Sequence, residues 1–288
     1  MIDTHCHLDF KDYKDDLDNI IKECIDKNIC KIINPGSSVE RSKRAFLNSK
    51  KYDIVYFACG SHPEEVCDKD SIELFNKDNN SKLEDPVRLI DDIEQDISNV
   101  FTKLVNDKKC VAVGEIGLDY NFITNFLLAK NPILDIEKIK NLQKELFRFQ
   151  LDFAQKHNKP VIIHNREAKD DIYSILKEYN LKGVIHCFSE DKDYAEKVLD
   201  LGFNISFTGN ITFKNVKSYT IDAIKYIPKE RILCETDGPF LAPQDFRGQT
   251  NYPMYVRYIY DKICEIKGIE FKDFEDQVDK NAKELFGI

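Results

Sequence analysis

Short apolar runs rich in β-branched residues alternate with longer segments of helical periodicity from one end of the chain to the other. Each run is only four to seven residues long, which is the length of a buried strand rather than of a helix. Eight strands are predicted in this way, near residues 2–7, 31–34, 54–60, 110–116, 160–164, 183–188, 203–207 and 231–236. Strands that alternate with helices form parallel sheets, and eight repeats predict a single-domain (β/α)₈ TIM-type barrel over residues 1–288.

Helices are predicted between and after these strands. They lie near residues 15–28, 38–50, 87–107, 135–157, 168–180, 191–201, 215–226, 251–266 and 271–286. Two connections are longer than a minimal β–α unit requires, at 67–86 and 120–134. The first is polar and rich in turn-forming residues, so we expect a surface insertion. The second contains several large apolar side chains, which leaves a lid or one wall of a substrate cleft as the alternative to a surface loop.

The composition excludes several classes of protein. Hydrophobic residues make up 42% of the chain and charged residues 32%, and no apolar run is long enough to span a membrane. Nine cysteines without a CxxC pair indicate reduced core residues rather than a disulfide framework. Because the first strand starts at Ile2, no secretion signal is predicted, and we expect a cytoplasmic or nuclear location. The net charge of −9 argues against tight binding of nucleic acid through bulk electrostatics.

Four of the six histidines stand at or beside the end of a predicted strand. His5 and His7 are two residues apart, so on a regular strand they project from the same face. With two carboxylates they form a candidate ligand set in barrel order, which consists of His5, His7, Glu115, His164, His186 and Asp237. A single histidine at a strand end is more often a satisfied structural residue. Six ligand-type side chains along one barrel rim favour a metal site instead.

The chain resembles the TatD-type metal-dependent deoxyribonucleases, which belong to the amidohydrolase superfamily. The resemblance rests on short motifs that follow the family's order along essentially the whole chain. They are MIDTHCHLD at 1–9, GSHP at 60–63, GEIGLDY at 114–120, HNREA at 164–168, HCFS at 186–189, ETDGPFLAP at 235–243, RG at 247–248 and NYP at 251–253. The resemblance implies hydrolysis of DNA phosphodiester bonds by a 3′→5′ exonuclease, sometimes with endonuclease activity, linked to DNA repair and DNA fragmentation.

Two divalent metal ions are expected in this site. The first is assigned to His5, His7, Glu115 and Asp237, and the second to Glu115, His164 and His186. Glu115 would bridge the ions and Asp237 would orient or deprotonate the attacking water, which makes these two the predicted catalytic residues. Four imidazoles favour zinc or manganese, whereas the family is often described as magnesium-dependent, so all three metals stay candidates.

His62 and Arg166 are the predicted substrate-binding residues. His62 would donate to a phosphate oxygen, with a loop-capping role as its alternative, and Arg166 would pair with a phosphate. Asp119 is either the partner of a ligand histidine or a turn residue. No basic run with interleaved aromatic residues is present, so the expected DNA substrate is a single strand or a strand end. No membrane and no obligate protein partner are implied.

Two rival functions keep the same barrel. One is an amidohydrolase or esterase of the same superfamily, such as an aminoacyl-tRNA deacylase. Glu115 stands where the wider superfamily often carries a carboxylated lysine, and this difference favours the phosphodiesterase. The other rival is a non-enzymatic binding protein, against which the complete ligand set argues. Gly238 replaces the alanine common in its motif, and this departure is expected to be harmless.

Overall fold

The strands follow one another around one parallel sheet in sequence order, and the last strand returns to the first. The computed structural model describes residues 1–67, 90–127 and 135–288. Its strands are β1 (Ile2–Asp3), β2 (Lys31–Asn34), β3 (Val55–Cys59), β4 (Cys110–Asp119), β5 (Val161–Arg166), β6 (Gly183–Ile185), β7 (Asn204–Phe207) and β8 (Ile232–Cys234). The N–H of Thr4 donates to the carbonyl of Cys234 at 3.2 Å, which joins β8 to β1. The predicted (β/α)₈ barrel is confirmed.

Helices connect the strands and cover the outside of the sheet. They are α1 (Leu17–Asp26), α2 (Val39–Lys51), α3 (Ile90–Leu104), α4 (Ile136–Lys156), α5 (Lys169–Leu176), α6 (Lys192–Asp200), α7 (Ser218–Tyr226), α8 (Val256–Lys267) and α9 (Phe271–Phe286). Side-chain caps start several of them. Ser38 accepts from the N–H of Arg41 at 3.2 Å to begin α2, and Asp191 accepts from the N–H of Tyr194 at 2.8 Å to begin α6.

Strand β1 is shorter than predicted, and the first histidines lie beyond it. The regular strand covers only Ile2–Asp3 of the predicted 2–7, and beyond it an isolated parallel bridge pairs Cys6 with Gly238. The N–H of His5 donates to Oδ1 of Asp3 at 3.2 Å instead of to a neighbouring strand. Strand β4 differs in the opposite sense, since it continues to Asp119 rather than ending at residue 116.

Apolar side chains from the strands fill the lumen of the barrel. They form one buried cluster of Ile2, Ile33, Ala58, Val111, Ala112, Ile162, Val184 and Leu233. Ala282 and Phe286 of α9 belong to the same cluster. Asn281 of α9 donates to the carbonyls of Lys229 and Ile232, at the amino end of β8. The last helix therefore closes the amino end of the barrel, and the site lies at the carboxyl end.

The two long connections are described only in part. Residues 68–89 and 128–134 lie outside the described residues. They include nearly all of the insertion that was predicted at 67–86. In the second connection, Phe122–Leu127 form a short π-helical segment with buried apolar side chains. Tyr120 and Asn121, just before it, line a second cavity on the rim, and a role as lid or cleft wall stays a prediction. None of the described helices combines the length and the apolar character that a bilayer crossing requires.

Candidate metal centre

Glu115 lies in the middle of β4, a strand that is buried along its whole length. The N–H of Glu115 donates to the carbonyl of Gly36 at 2.6 Å, which fixes the backbone at this point. A Cβ placed on Gly60 would overlap the backbone of Gly114. Glycine at position 60 therefore allows the chain that follows β3 to approach the segment that carries Glu115.

The two carboxylate oxygens of Glu115 face two different groups of histidines. Oε2 lies 3.5 Å from Nε2 of His5 and 3.5 Å from Nε2 of His7. Oε1 lies 2.7 Å from Nδ1 of His164 and 3.2 Å from Nε2 of His186. A single carboxylate can therefore serve ligand groups on both of its sides.

The first ligand group has the dimensions of one metal site. Nε2 of His5 and Nε2 of His7 lie 3.2 Å apart, although the two residues have left the regular strand. Oδ1 of Asp237 lies 3.6 Å from Nε2 of His5 and 3.5 Å from Nε2 of His7. Adjacent ligands of a tetrahedral ion with bonds of about 2.0–2.1 Å stand about 3.3 Å apart. The spacing of these donors fits an ion of the size of zinc.

Further groups of three side chains bring their ligand atoms within 4.8 Å of one another. The groups are His5–His186–Asp237, His5–His7–Glu115, Glu115–His164–His186 and His62–Asp119–His164. The sequence assigned four ligands to the first ion and three to the second. The groups His5–His7–Glu115 and Glu115–His164–His186 contain six of these seven assignments, and the seventh, Asp237, occurs in the group with His5 and His186. The last group was not predicted as a ligand set, and it places His62 next to the second group.

Two buried carboxylates contact ring nitrogens of histidines in the candidate ligand set. Oδ2 of Asp119 lies 3.0 Å from Nε2 of His164, and Oδ1 of Asp119 accepts from the N–H of Phe122 at 2.7 Å. Asp119 thus has both of the roles that were expected as alternatives. Oε1 of Glu235 lies 2.9 Å from Nδ1 of His186. Sequence reasoning missed Glu235, although it stands two residues before Asp237 and the period of two was a usable signal.

The electrostatics of the site keep its carboxylates ionised. Burial raises the pKa of Glu115, but the neighbouring His186 and His164 outweigh it and hold that pKa well below its usual value. Burial likewise raises the pKa of Asp237, and the hydrogen bond from His7 lowers it below the ordinary range. Ionised carboxylates are the form that binds divalent cations.

The histidines of the site have divergent pKa values. Burial lowers the pKa of His164, but its hydrogen bonds to Asp119 and Glu115 outweigh burial and raise it to about 9. Burial and the neighbouring His164 lower the pKa of His62 to about 4. Burial and the neighbouring imidazoles also lower the pKa of His5, which is thus held in the neutral form that a metal ligand requires.

The centre opens into a cavity of about 620 Å³ that both predicted substrate-binding residues line. Arg166 is the last residue of β5; its side chain is 59% exposed, and Nη1 lies 3.9 Å from Oδ2 of Asp119. Nδ1 of His62 accepts from the N–H of Glu64 at 3.3 Å, so the expected loop-capping contact is present. Nε2 of His62 faces Oε1 of Glu115 at 3.7 Å. Contact of either residue with substrate stays a prediction.

Other residues of the cavity were not predicted from the sequence. Arg41 comes from α2, far along the chain from any ligand, and no periodic signal distinguishes it. Asn165 and Asn210 also line the cavity, and the Oδ1 atom of each is buried without a hydrogen-bond partner in the described part of the chain. Phe10 and Phe240 complete the wall beside His7.

Known proteins are similar to this chain along its whole length. A family model described as TatD related DNase matches residues 2–287. An uncharacterized metal-dependent hydrolase of Bacillus subtilis (strain 168), YabD, is 35% identical over 291 residues, which cover 100% of this chain and 99% of that protein. The uncharacterized metal-dependent hydrolase YcfH of Escherichia coli (strain K12) is 31% identical over 296 residues, with 100% and 96% covered.

A solved structure gives the same result. The crystal structure of YjjV, a TatD homologue from Escherichia coli K12, superimposes with a TM-score of 0.81 at 26% identity, over 100% of this chain and 98% of that one. The chain therefore belongs to the TatD family of metal-dependent hydrolases, within the amidohydrolase superfamily.

Proposed function

We propose that this hydrolase is a deoxyribonuclease that binds two divalent ions and shortens single-stranded DNA from its 3′ end. The observation that carries the proposal is the position of Glu115, whose two oxygens face separate histidine groups. Two ions on opposite sides of one carboxylate suit in-line displacement at phosphorus. When bound, the ions would supply a water of lowered pKa and neutralise charge on the phosphate.

The chain's own residues would divide the remaining work. Asp237 is positioned at the edge of the first ligand group, where its carboxylate can hold the attacking water or take its proton. Arg166 presents an exposed guanidinium to the cavity, where it can pair with phosphate oxygens. Nε2 of His62 can donate to the same phosphate, because its other ring nitrogen accepts a backbone N–H.

The charge of the rim agrees with a short DNA footprint. Arg41 and Arg166 line the cavity, and each lies next to one carboxylate. With a net charge of −9 over the chain, attraction of a polyanion would be confined to these side chains and the ions. A single strand or a frayed end needs few phosphate contacts, which supports it as the substrate.

The test is cleavage of end-labelled DNA by reconstituted protein. Metal-stripped protein is supplied with Mg²⁺, Mn²⁺ or Zn²⁺ and given single-stranded DNA labelled at the 3′ or the 5′ end. We expect progressive shortening from the 3′ end, reduced by several orders of magnitude in Glu115→Gln. The control is Glu196→Gln, which removes the same charge from the exposed face of α6.

Two results would contradict the proposal. One is near-normal turnover by purified Glu115→Gln. The other is intact DNA with every metal, while elemental analysis shows bound ions. In the second case the same preparations are assayed on a cyclic amide and on an aminoacyl ester, because the amidohydrolase and deacylase alternatives predict turnover there.

A further inference from the structure

Two phenylalanines form an aromatic wall beside the first ligand group. The ring centroids of Phe10 and Phe240 lie 5.2 Å apart at 90°, an edge-to-face pair. The ring of His7 lies 5.1 Å from Phe10 and 6.3 Å from Phe240. Both phenylalanines line the cavity that holds the metal ligands. An aromatic surface therefore adjoins the point where the scissile phosphate would bind.

The ring of Phe10 is already engaged by the protein. The guanidinium of Arg41 lies 3.7 Å from its centroid, as in a cation–π contact. Asp9 holds that guanidinium with a 3.0 Å hydrogen bond from Nη1, and Asn34 holds Asp9 with a 2.9 Å bond. Phe10 is thus a fixed support for the wall.

Phe240 has a fixed backbone and an exposed ring. Its N–H donates to the carbonyl of Asp237 at 3.0 Å, and its carbonyl accepts from Nδ2 of Asn251 at 2.7 Å. Nevertheless 48% of the residue is exposed to solvent. Exposure of an apolar ring to water costs free energy. A phenylalanine ring has no polar atom whose hydrogen bonds with water could offset that cost. A ligand with a flat apolar face would cover the ring.

We propose that Phe240 is a stacking platform for one unpaired nucleobase of the nucleotide next to the scissile phosphate. This inference rests on the proposed nuclease function and names the part of the substrate that the wall recognises. In a nucleotide, one sugar separates the base from the phosphate. The ring centroid of Phe240 lies 6.3 Å from that of His7, so a base on Phe240 would lie close to a phosphate bound at the first ligand group. Every base has a π-face, so the contact tolerates any sequence. It requires a base outside a duplex stack, which selects single strands and frayed ends.

The experiment compares thymine with 5,6-dihydrothymine, which keeps the hydrogen-bonding groups but loses the planar ring. Single-stranded oligonucleotides carry the modified base at one of the terminal positions in turn. Stacking of one base predicts that the wild-type enzyme prefers thymine by about 5- to 150-fold in kcat/KM at one position. Phe240→Leu should lose this preference, and Phe240→Trp should keep it. Tyr226→Leu, which alters an exposed ring on α7 outside the cavity, should behave as wild type.

A binding measurement gives a second readout without turnover. An oligonucleotide with phosphorothioate linkages and one 2-aminopurine is titrated with metal-loaded protein, because stacking quenches the fluorescence of this base. Quenching is expected with wild type and with Phe240→Trp, and not with Phe240→Leu. Melting temperatures of the variants should match wild type, since the ring is half exposed.

The outcomes separate the two proposals. If the wild-type enzyme cleaves neither oligonucleotide while its ions are bound, the nuclease function is wrong. The stacking role of Phe240, which depends on that function, is then wrong as well. If the enzyme cleaves thymine and dihydrothymine substrates equally, or if Phe240→Leu keeps both the preference and the quenching, the platform is overturned and the nuclease function stands.

Discussion

Nδ1 of His186 lies 2.9 Å from Oε1 of Glu235, and the same oxygen accepts from the N–H of Cys187 at 2.8 Å. Both residues of the pair are buried. The contact fixes the imidazole so that its Nε2 faces Oε1 of Glu115 at 3.2 Å. A carboxylate behind a ligand histidine sets the ring orientation and raises its basicity, so Glu235 is expected to act on metal binding through His186.

Replacement of Glu235 should therefore weaken metal binding without removing a ligand. Loss of such a partner costs about 10- to 100-fold in metal affinity. We expect a loss in this range for Glu235→Ala and a smaller one for Glu235→Gln, which can still accept a hydrogen bond. Competition with a coloured chelator measures the affinity. Glu190→Gln, on the nearby rim, is the control, and equal affinities in all four proteins would contradict the role of Glu235.

Metal binding should also release protons and become tighter as the pH rises. His164 has a pKa of about 9, because hydrogen bonds to Asp119 and Glu115 outweigh the opposite effect of burial. Below that pH the metal-free protein carries a proton on His164 that an ion must displace. We expect apparent affinity to rise about tenfold per pH unit for each proton released, with the contribution of His164 continuing up to a pH near 9.

Calorimetry in two buffers of different ionisation enthalpy counts the released protons. In Asp119→Asn the pKa of His164 should fall, since the main contact that raises it is weakened, and the contribution of His164 to the rise in affinity should end at a lower pH. Asp193→Asn, on the exposed side of α6, keeps the wild-type profile. An affinity that does not change with pH would show that His164 is neutral before the ion binds.

The sequence predicted the candidate ligands and one carboxylate partner, Asp119, but not the second partner, Glu235. His164, His186 and Glu115 each follow an apolar run, and closure of a parallel barrel brings the ends of such runs to one rim. The contact between Glu235 and His186 depends on the directions of two side chains that lie just beyond the ends of β8 and β6. Arg41 reaches the cavity from a helix, so no strand pattern indicates it.

Local hydrogen bonds also determine where a regular strand ends, which the alternation of apolar residues in the sequence does not show. Alternation predicted a common face for His5 and His7 on a regular strand. The N–H of His5 donates to the side chain of Asp3 and not to a neighbouring strand, yet the two imidazoles still meet at 3.2 Å. In the same way, the motif around Gly238 gave no sign that this residue packs against Tyr13, which is far away in sequence.

Gly238 is packed against Tyr13, so this chain has no room at that position for the alanine that is common in the motif. A Cβ on Gly238 would overlap the hydroxyl oxygen of Tyr13 and lie 3.0 Å from Sγ of Cys6. Tyr13 is fully buried and donates to the carbonyl of Asn251, so its ring has no room to move. Overpacking of a buried position costs about 1–3 kcal/mol, and we expect Gly238→Ala to lower the free energy of unfolding by that amount.

A double-mutant cycle measures the contact by chemical denaturation. Tyr13→Phe removes the overlapping oxygen, so Gly238→Ala should cost less in that background than in wild type. If the unfolding free-energy changes of Gly238→Ala and Tyr13→Phe are additive in the double mutant, the two positions do not interact.

Arg166 should contribute one phosphate contact to DNA binding. Its guanidinium is exposed to the cavity, and its ion pair with Asp119 is long, at 3.9 Å, so its removal should leave stability unchanged. Each phosphate that a protein neutralises on a single strand adds about −0.7 to the slope of log affinity against log salt. Arg166→Ala should therefore flatten the slope by about 0.7, as measured by fluorescence anisotropy with a short phosphorothioate oligonucleotide.

Two further variants separate charge from shape at this position. Arg166→Lys should keep the wild-type slope but bind more weakly, because lysine has no planar fork for bidentate pairing with a phosphate. Arg148→Ala removes an exposed guanidinium from α4, where it pairs with Glu178, and should change neither slope nor affinity. An unchanged slope in Arg166→Ala would place the phosphate away from the end of β5, since a guanidinium in contact with it must release counterions when DNA binds.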